Sequence, residues 1–207
     1  MSRTVKTVYI VDDDASFLKG IERLLRSSGY STECFSSASE FLARRPPGAT
    51  GCVLADLQMP GMDGMALQAA LRQSDNPLPV VFLTGRGDIP TSVEAMREGA
   101  EDFLVKTAPK DTVIAAIERA LTRDSRERQN RVHRLELQSR FDRLTPRERQ
   151  VLSQVMLGRM NKHIAADMGV HERSVKRHRT NLMRKLGVNS VAELVQLAIE
   201  AGLNTAE

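Results

Sequence analysis

The sequence has few cysteines and no long apolar run, and both absences narrow its class. It contains only Cys34 and Cys52 among 207 residues, which excludes a disulfide-stapled scaffold and suits a reducing compartment. No CxxC or Cys/His spacing typical of a zinc site is present. No stretch reaches the roughly 18 uninterrupted apolar residues of a membrane-spanning helix. The opening MSRTVKTVYIVDDD passes from a short apolar run into acidic residues, unlike a signal peptide, so we expect a soluble cytoplasmic protein with no membrane partner.

Internal repeats and low-complexity segments are also absent, but the charge is unevenly distributed. Hydrophobic residues make up 41% and charged residues 27% of the chain, which is typical of one or two globular domains. Residues 1–120 hold 13 Lys and Arg against 16 Asp and Glu, a net charge of −3. Residues 121–207 hold 17 against 10, a net charge of +7. This division predicts that the second part binds an anion such as DNA, although charge alone does not identify the anion.

Short apolar runs predict the strands of the first part. They occupy residues 8–11, 52–55, 80–83 and 102–105, with a weaker run at 32–35, and helical periodicity separates them. Strands that alternate with helices form parallel sheets covered on both faces. We therefore predict an α/β domain over residues 1–121, a flavodoxin-like, doubly wound sheet of five parallel strands in the order 2-1-3-4-5.

The rest of the chain predicts helices only. The 36 residues between Pro109 and Pro146 contain neither glycine nor proline, which indicates a helix that leaves the first domain and an exposed helical linker over residues 122–141. Alternatively, apolar residues of this segment pair with a second copy in a short coiled coil; they are Val132, Leu135, Leu137 and Phe141. Residues 142–207 predict an all-α domain with helices near 146–157, 161–168, 172–186 and 190–201.

Polar residues end four of the predicted strands. Asp12 and Asp13 follow the first strand, Asp56 the third, Thr84 the fourth and Lys106 the fifth. The ligand crevice of an open α/β sheet lies at these carboxyl ends. Crowded carboxylates need a cation, and oxygen ligands suit Mg²⁺. We therefore predict a phosphoryl-transfer site in which Asp56 is the nucleophile. Asp12 and Asp13 hold the metal, while Lys106 and the Thr84 hydroxyl contact phosphoryl oxygens.

Residues 5–120 resemble the receiver domain of bacterial two-component response regulators, through VDDD, ADLQMPGMDG, LTG and FLVK. The resemblance implies that Asp56 accepts phosphate from a sensor histidine kinase, that the acidic pair binds Mg²⁺, and that the backbone carbonyl of Gln58 completes the metal site. It also implies a switch pair, in which the Thr84 hydroxyl moves toward the phosphoryl group and the Phe103 ring turns inward behind it. By position, Asp14 is expected only to cap the helix that begins near residue 15.

One position departs from the family pattern. The family usually follows its lysine with a proline in a cis peptide, whereas Lys106 is followed by Thr107. A cis bond before any other residue costs about 2.5–4 kcal/mol, so we predict a trans bond. This departure bears on the direction of the Lys106 side chain and on the rate or lifetime of phosphorylation.

The helix near 172–186 separates a basic stripe from an apolar one. The basic stripe comprises Arg173, Lys176, Arg177, Thr180 and Arg184, with Arg179 at its edge. No acidic residue occurs from Arg173 through Lys185, so we expect the stripe to lack i,i+4 partners of opposite charge. A helix fits the DNA major groove, which favours a helix-turn-helix over a solvated charged face. His178 is predicted to be buried and hydrogen-bonded, and His171 to lie at the surface or to contact phosphate.

Residues 142–203 resemble the LuxR-type helix-turn-helix of NarL/FixJ response regulators, through LTPRERQVL, GRMNKHIAADMGV, RSVKRHRTNLMRKLGV and NSVAELV. The resemblance implies that the last helix is the dimer surface on DNA. It implies that the base-facing residues are Lys176, Arg177 and Thr180, and that the phosphate-facing residues are Asn161, Lys162, Arg173, Ser174 and Arg179. Such phosphate contacts position a helix without reading sequence.

Together these features predict a DNA-binding response regulator that is not an enzyme. We expect it to dimerise around its fourth helix and fifth strand, to bind promoter DNA and to activate transcription, with RNA polymerase as a candidate partner. A regulator of the same fold that works without phosphate is the first alternative, motivated by Thr107. An aspartate-nucleophile phosphatase is the second, but Gln58 stands where such enzymes carry a second aspartate. A module that does not bind DNA is the third, and the charge division argues against it.

Overall fold

The computed structural model describes residues 7–85 and 89–203. Residues 1–6, which begin the segment judged to be unlike a signal peptide and the predicted first domain, lie outside the described residues. Residues 204–207, at the end of the predicted second domain, also lie outside them. Contacts divide the chain into two compact units, with the division between Arg128 and Gln129.

Five parallel strands form the sheet of the first unit. They are β1 (Thr7–Val11), β2 (Ser31–Phe35), β3 (Gly51–Ala55), β4 (Val80–Thr84) and β5 (Asp102–Val105). Their order is β2-β1-β3-β4-β5, so the direction of winding reverses between β1 and β3. The predicted flavodoxin-like sheet and its strand order are confirmed.

Successive residues of a strand point to opposite faces of the sheet, and the apolar residues on each face are covered by helices. They are α1 (Ala15–Ser27), α2 (Ala38–Arg44), α3 (Gly64–Arg72), α4 (Ile89–Arg97) and α5 (Lys110–Asp142). Val8 and Ile10 of β1 pack with buried residues of α1 and α5. Tyr9 and Val11 of the same strand pack with buried residues of α2, α3 and α4. Alternate residues of β1 therefore pack into two different cores, one on each face of the sheet.

Most residues of the predicted exposed linker, 122–141 in helix α5, are exposed or half-buried, but Asp124, Leu137 and Phe141 are buried. The helix is continuous over its 33 residues. The carboxylate of Asp124 is buried in the first unit, where it accepts a hydrogen bond of 3.1 Å from the backbone N–H of Gly51. Leu137 and Phe141 are buried in the core of the second unit. Asp124 departs from the prediction because its hydrogen bond compensates for the loss of water on burial, and the apolar Leu137 and Phe141 depart from it because they pack in a core.

The second unit adds four helices, which are α6 (Pro146–Met156), α7 (Asn161–Met168), α8 (Glu172–Leu186) and α9 (Val191–Glu200). Thr145 caps α6, and its side chain and that of Glu148 form a capping box. Gly169 has a φ of 64°, a conformation that favours glycine and lets the chain turn from α7 into α8. No helix within the described residues is long and apolar enough to cross a membrane.

Candidate functional site

Three aspartates meet beyond the carboxyl ends of β1 and β3. Asp12 and Asp13 follow β1, and Asp56 follows β3. The backbone N–H of Asp56 donates to the carbonyl of Val11 at 2.8 Å, which holds the two strand ends together. One carboxylate oxygen from each aspartate lies within 4.8 Å of the oxygens of the other two. Asp12 and Asp56 are buried and Asp13 is exposed, so the cluster is open to solvent at Asp13.

Lys106 reaches the same cluster from the end of β5. Its Nζ lies 2.7 Å from Oδ2 of Asp12 and 2.9 Å from Oδ2 of Asp56. The described residues contain no cis peptide bond, so the bond between Lys106 and Thr107 is trans, as predicted. The absence of the proline therefore does not turn the lysine away from the carboxylates.

The charges in this cluster are unbalanced, because three carboxylates share one ammonium. Burial raises the pKa of the Asp12 carboxyl, and repulsion from Asp56 adds to this effect, although Lys106 and the backbone N–H of Asp14 oppose it. Burial by itself would lower the pKa of the Lys106 ammonium, but hydrogen bonds and attraction from Asp12 and Asp56 outweigh burial and raise it. A further cation would relieve the repulsion among the carboxylates.

The donor set of the cluster fits Mg²⁺. Asp12, Asp13 and Asp56 offer hard carboxylate oxygens, which this ion prefers. The fourth predicted ligand, the carbonyl of Gln58, belongs to an exposed residue whose backbone N–H donates to Oδ1 of Asp56 at 3.3 Å. Chemistry and placement thus agree with a divalent cation at this edge of the sheet.

The residues of the predicted switch lie next to the cluster. Thr84 is buried at the end of β4, and its carbonyl accepts a hydrogen bond of 2.8 Å from the backbone N–H of Lys106. Phe103 is half-buried on β5, with its ring centroid 6.1 Å from that of Phe82. Because Phe82 pairs with Phe103 and lies two residues before Thr84, the hydroxyl and the two rings share one face of the sheet.

Sequence reasoning missed two residues that shape the cluster. The ring centroid of Phe17 lies 4.4 Å from Nζ of Lys106. Gly64 begins α3 so close to β3 that a Cβ atom there would lie 2.6 Å from the backbone oxygen of Asp56. The glycine was visible in ADLQMPGMDG, whereas no motif singles out the phenylalanine. Asp14 caps α1 as predicted, accepting hydrogen bonds from the backbone N–H groups of Ser16 and Phe17.

Replacing Lys106 with methionine should destabilise the first unit by about 3–5 kcal/mol at pH 7, because it leaves buried carboxylates without their counter-ion. Loss of the ammonium should raise the pKa of Asp12 further, so the folded state binds a proton that the unfolded chain releases. The stability of the variant should therefore fall as the pH rises from about 4 through this raised pKa. Chemical denaturation at several pH values measures the effect.

Mg²⁺ should restore part of the lost stability, because it binds the folded acidic cluster and not the unfolded chain. Lys110→Met is the matched control, since it makes the same change at an exposed residue at the start of α5. A loss of stability in Lys106→Met that is constant with pH and unaffected by Mg²⁺ would contradict this account.

The basic stripe of α8 lies opposite buried apolar residues, as the helical period predicted. Val175, Leu182 and Leu186 are buried in the core of the second unit. Among the predicted DNA-binding residues, Lys162, Arg173, Lys176, Arg177, Thr180 and Arg184 are exposed, while Asn161, Ser174 and Arg179 are half-buried. The exposed members are thus available to a ligand on one face of the helix-turn-helix.

Ion pairing within the second unit corrects one prediction about this stripe. Lys176 has an i,i+4 partner, because its Nζ lies 3.1 Å from Oε1 of Glu172, one residue before the stretch that lacks acidic residues. Lys185 pairs with the buried Glu148 at 2.7 Å. The guanidinium of Arg179 donates to Oδ1 of Asn161 at 2.7 Å and so connects α8 to α7. The stripe is therefore less free of partners than its sequence indicates.

The histidines near this stripe fall at two positions. His178 is half-buried, rather than buried as predicted, because it lies at the margin of the apolar side of α8. His171 is the exposed N-cap residue of α8, and its side chain makes no capping hydrogen bond.

Both units match known families. Residues 8–118 match the response regulator receiver domain. Residues 142–198 match the bacterial regulatory proteins of the luxR family. The chain belongs to the response regulators. The resemblances seen in the sequence are thereby confirmed, and the acidic cluster of this response regulator stands where receiver domains generally bind Mg²⁺.

Relatives of this response regulator match over nearly its whole length. The response regulator protein TodT of Pseudomonas putida is 40% identical over 95% of this chain and 87% of its own. The transcriptional regulatory protein FixJ of Bradyrhizobium diazoefficiens is 37% identical over 95% of this chain and 96% of its own. The solved structure of the response regulator StyR is 44% identical, has a TM-score of 0.77, and covers 95% of this chain and 100% of its own.

These similarities establish the general role of the chain. It is a two-component response regulator that acts in the regulation of transcription. Its receiver domain implies a kinase partner, and its luxR-type domain implies DNA binding. The two relatives named as regulatory proteins are in keeping with a regulator rather than an enzyme.

Proposed function

We propose that Asp56 accepts a phosphoryl group from a sensor histidine kinase and that this modification controls binding of promoter DNA. The convergence of Asp12, Asp13, Asp56 and Lys106 at one edge of the sheet is the observation that carries the proposal.

We propose a receiver domain over residues 1–121, a connecting helical segment over 122–141 and a DNA-binding domain over 142–207.

Transfer exchanges one bond to phosphorus for another. A carboxylate oxygen of Asp56 attacks the phosphorus, the bond to the kinase histidine nitrogen breaks, and the imidazole leaves with that electron pair. Lys106 neutralises part of the charge on the transferred group. The Thr84 hydroxyl donates to a phosphoryl oxygen. Asp12, Asp13 and Asp56, with the carbonyl of Gln58, would hold Mg²⁺, which would offset negative charge on the phosphoryl oxygens.

The signal then passes to dimerisation and DNA binding. Phosphorylation acts by favouring one of two conformations that differ in affinity for a partner, and the adjacent Thr84 and Phe103 supply the switch. Exposed apolar side chains on α4 and at the end of β5 support dimerisation of the receiver; they are Val93, Met96 and Val105. On α9, Ile199 is exposed and supports pairing of the DNA-binding domains. RNA polymerase is a further partner in this scheme.

The α8 stripe is the proposed DNA-reading surface. Lys176, Arg177 and Thr180 face bases. Phosphates are contacted by residues on α7 and α8, which are Asn161, Lys162, Arg173, Ser174 and Arg179. Arg184 extends the same exposed stripe by one turn beyond Thr180.

Intact mass spectrometry tests the proposal directly. Wild-type protein incubated with Mg²⁺ and acetyl phosphate should gain the mass of one phosphoryl group, and peptide mapping should place it on Asp56. Chelation of Mg²⁺ should prevent the gain. If no mass is added either by acetyl phosphate or by a co-purified cognate kinase, the regulator works without phosphate, which is the alternative raised by Thr107.

A further inference from the structure

An aromatic ring contacts the lysine of the acidic cluster. Nζ of Lys106 lies 4.4 Å from the ring centroid of Phe17, in addition to its contacts with Asp12 and Asp56. The side chain of Lys106 is only 18% exposed. Attraction between an ammonium and an aromatic face grows when water is excluded, so this partly desolvated contact should be stronger than one at a fully exposed site.

The Phe17 residue is also held by contacts outside the acidic cluster. Asp14 caps α1, and its carboxylate accepts a hydrogen bond of 3.1 Å from the backbone N–H of Phe17. The half-buried Phe17 side chain packs against the core that contains Ile10 and Leu25. The cap and the core therefore fix the ring before any ligand arrives.

Three groups within the described residues contact the Lys106 ammonium, and a ligand would not compete with it for the Phe17 ring. A divalent cation would draw on the oxygens of Asp12 and Asp56 and would repel the ammonium, and phosphorylation would use a carboxylate oxygen of Asp56 for the bond to phosphorus. A lysine side chain has several rotatable bonds and gains rotamer entropy on leaving such a site. A leucine in place of Phe17 would fill similar space but would not attract the ammonium.

We propose that Phe17 is a positioning residue, whose ring holds the Lys106 ammonium in the site while Asp56 is phosphorylated. The inference rests on the proposed phosphorylation of Asp56.

The rate of phosphorylation by acetyl phosphate and Mg²⁺, followed by intact mass, is the first test. Phe17→Leu should be phosphorylated about threefold to tenfold more slowly than wild type, as expected for a partly desolvated cation–π contact. Phe17→Tyr should restore the rate to within about twofold, because it keeps the ring. Leu24→Ala is the matched control, since it shortens another half-buried side chain of α1 in the same core, and its rate should be unchanged.

A double-mutant cycle shows whether the ring acts through the lysine. In a Lys106→Met background, the added Phe17→Leu substitution should slow phosphorylation no further. Equal slowing in both backgrounds would overturn the inference, as would a wild-type rate in Phe17→Leu. Thermal melting of each variant separates a loss of folded protein from a loss of rate.

Proton NMR tests the contact without phosphorylation. In wild type, the ring should shift the ε-methylene resonance of Lys106 upfield, and Phe17→Leu should return it to the usual lysine position. Lys106→Met assigns the signal. Should acetyl phosphate and kinase both fail to modify wild type, the proposed function fails while this measurement still decides the contact. An unshifted wild-type resonance would overturn the inference.

Discussion

An Asp56→Asn variant should fold as the wild type does and give no transcriptional response to the kinase signal. Asparagine has nearly the shape of aspartate, and its oxygen can still accept the hydrogen bond that Gln58 donates to Oδ1. Its amide is not a nucleophile for phosphoryl transfer, so the effect should be complete rather than partial. Lys106 keeps its ion pair with Asp12, which limits the structural cost. A reporter driven by a promoter that the protein selects from a DNA library measures the response.

Asp63→Asn supplies the matched control for this variant. Asp63 caps α3 by accepting a hydrogen bond from the backbone N–H of Ala66, and asparagine caps helices equally well. The same chemical change seven residues away should therefore leave the response unchanged. Thermal melting should give similar midpoints for both variants. A full response from Asp56→Asn would refute phosphorylation of this residue as the switch.

Replacing Lys176 and Arg177 together with alanine should lower the affinity for promoter DNA by at least about thirtyfold. Each good contact to a base edge contributes about 1–3 kcal/mol, and these two residues lie exposed on the same stripe of α8. Arg177 should carry the larger share, because Lys176 is already paired with Glu172 in the free protein. Titration of labelled promoter DNA at several salt concentrations measures the loss.

A second double variant, which removes two positive charges from another surface, distinguishes base recognition by α8 from general electrostatic attraction to DNA. Arg134→Ala/Arg140→Ala removes two exposed arginines from the part of α5 that belongs to the second unit. Its affinity should change far less than that of the α8 variant.

Lys162→Ala, at a proposed phosphate contact, should reduce the steep salt slope by about one phosphate's share, which is about 0.9 on logarithmic axes. Equal losses in the two double variants, or a flat salt response in wild type, would contradict base reading by α8.

Much of the site could be predicted because the ends of parallel strands share an edge. The apolar runs located the strands, and alternation with helices required parallel pairing. Residues that directly follow β1 and β3 then had to lie near one another because these strands are neighbours, and the long side chain of the lysine after β5 reaches them past the end of β4. Asp12, Asp56 and Lys106 follow those strands, and the structure brings them within ion-pairing distance. The caps at Asp14 and Thr145 were predicted equally well, since a cap depends on residues within one helical turn.

Predictions that relied on polarity alone were less successful. The segment after Leu121 was predicted as exposed because it is polar, and most of it is, yet the Asp124 carboxylate is buried against Gly51. The prediction that the basic stripe lacks i,i+4 partners considered only residues 173–185, whereas the partner of Lys176 is Glu172. Both differences have the same cause. The burial or pairing of a charged group depends on its neighbours in space, and the pattern of charges along the chain does not supply them.

A parallel sheet, the edge at which the acidic cluster forms and the two faces of α8 could all be read from the sequence, because each follows from a periodicity or from a residue's place at the end of an element. The strand order was predicted from the doubly wound arrangement that this pattern fits. The three-dimensional packing was needed to show that one ammonium bridges Asp12 and Asp56, that the Phe17 ring lies against it, and that Asp124 is bonded to Gly51. Such contacts join elements far apart in the chain. They depend on packing distances and rotamers, which a one-dimensional pattern does not specify.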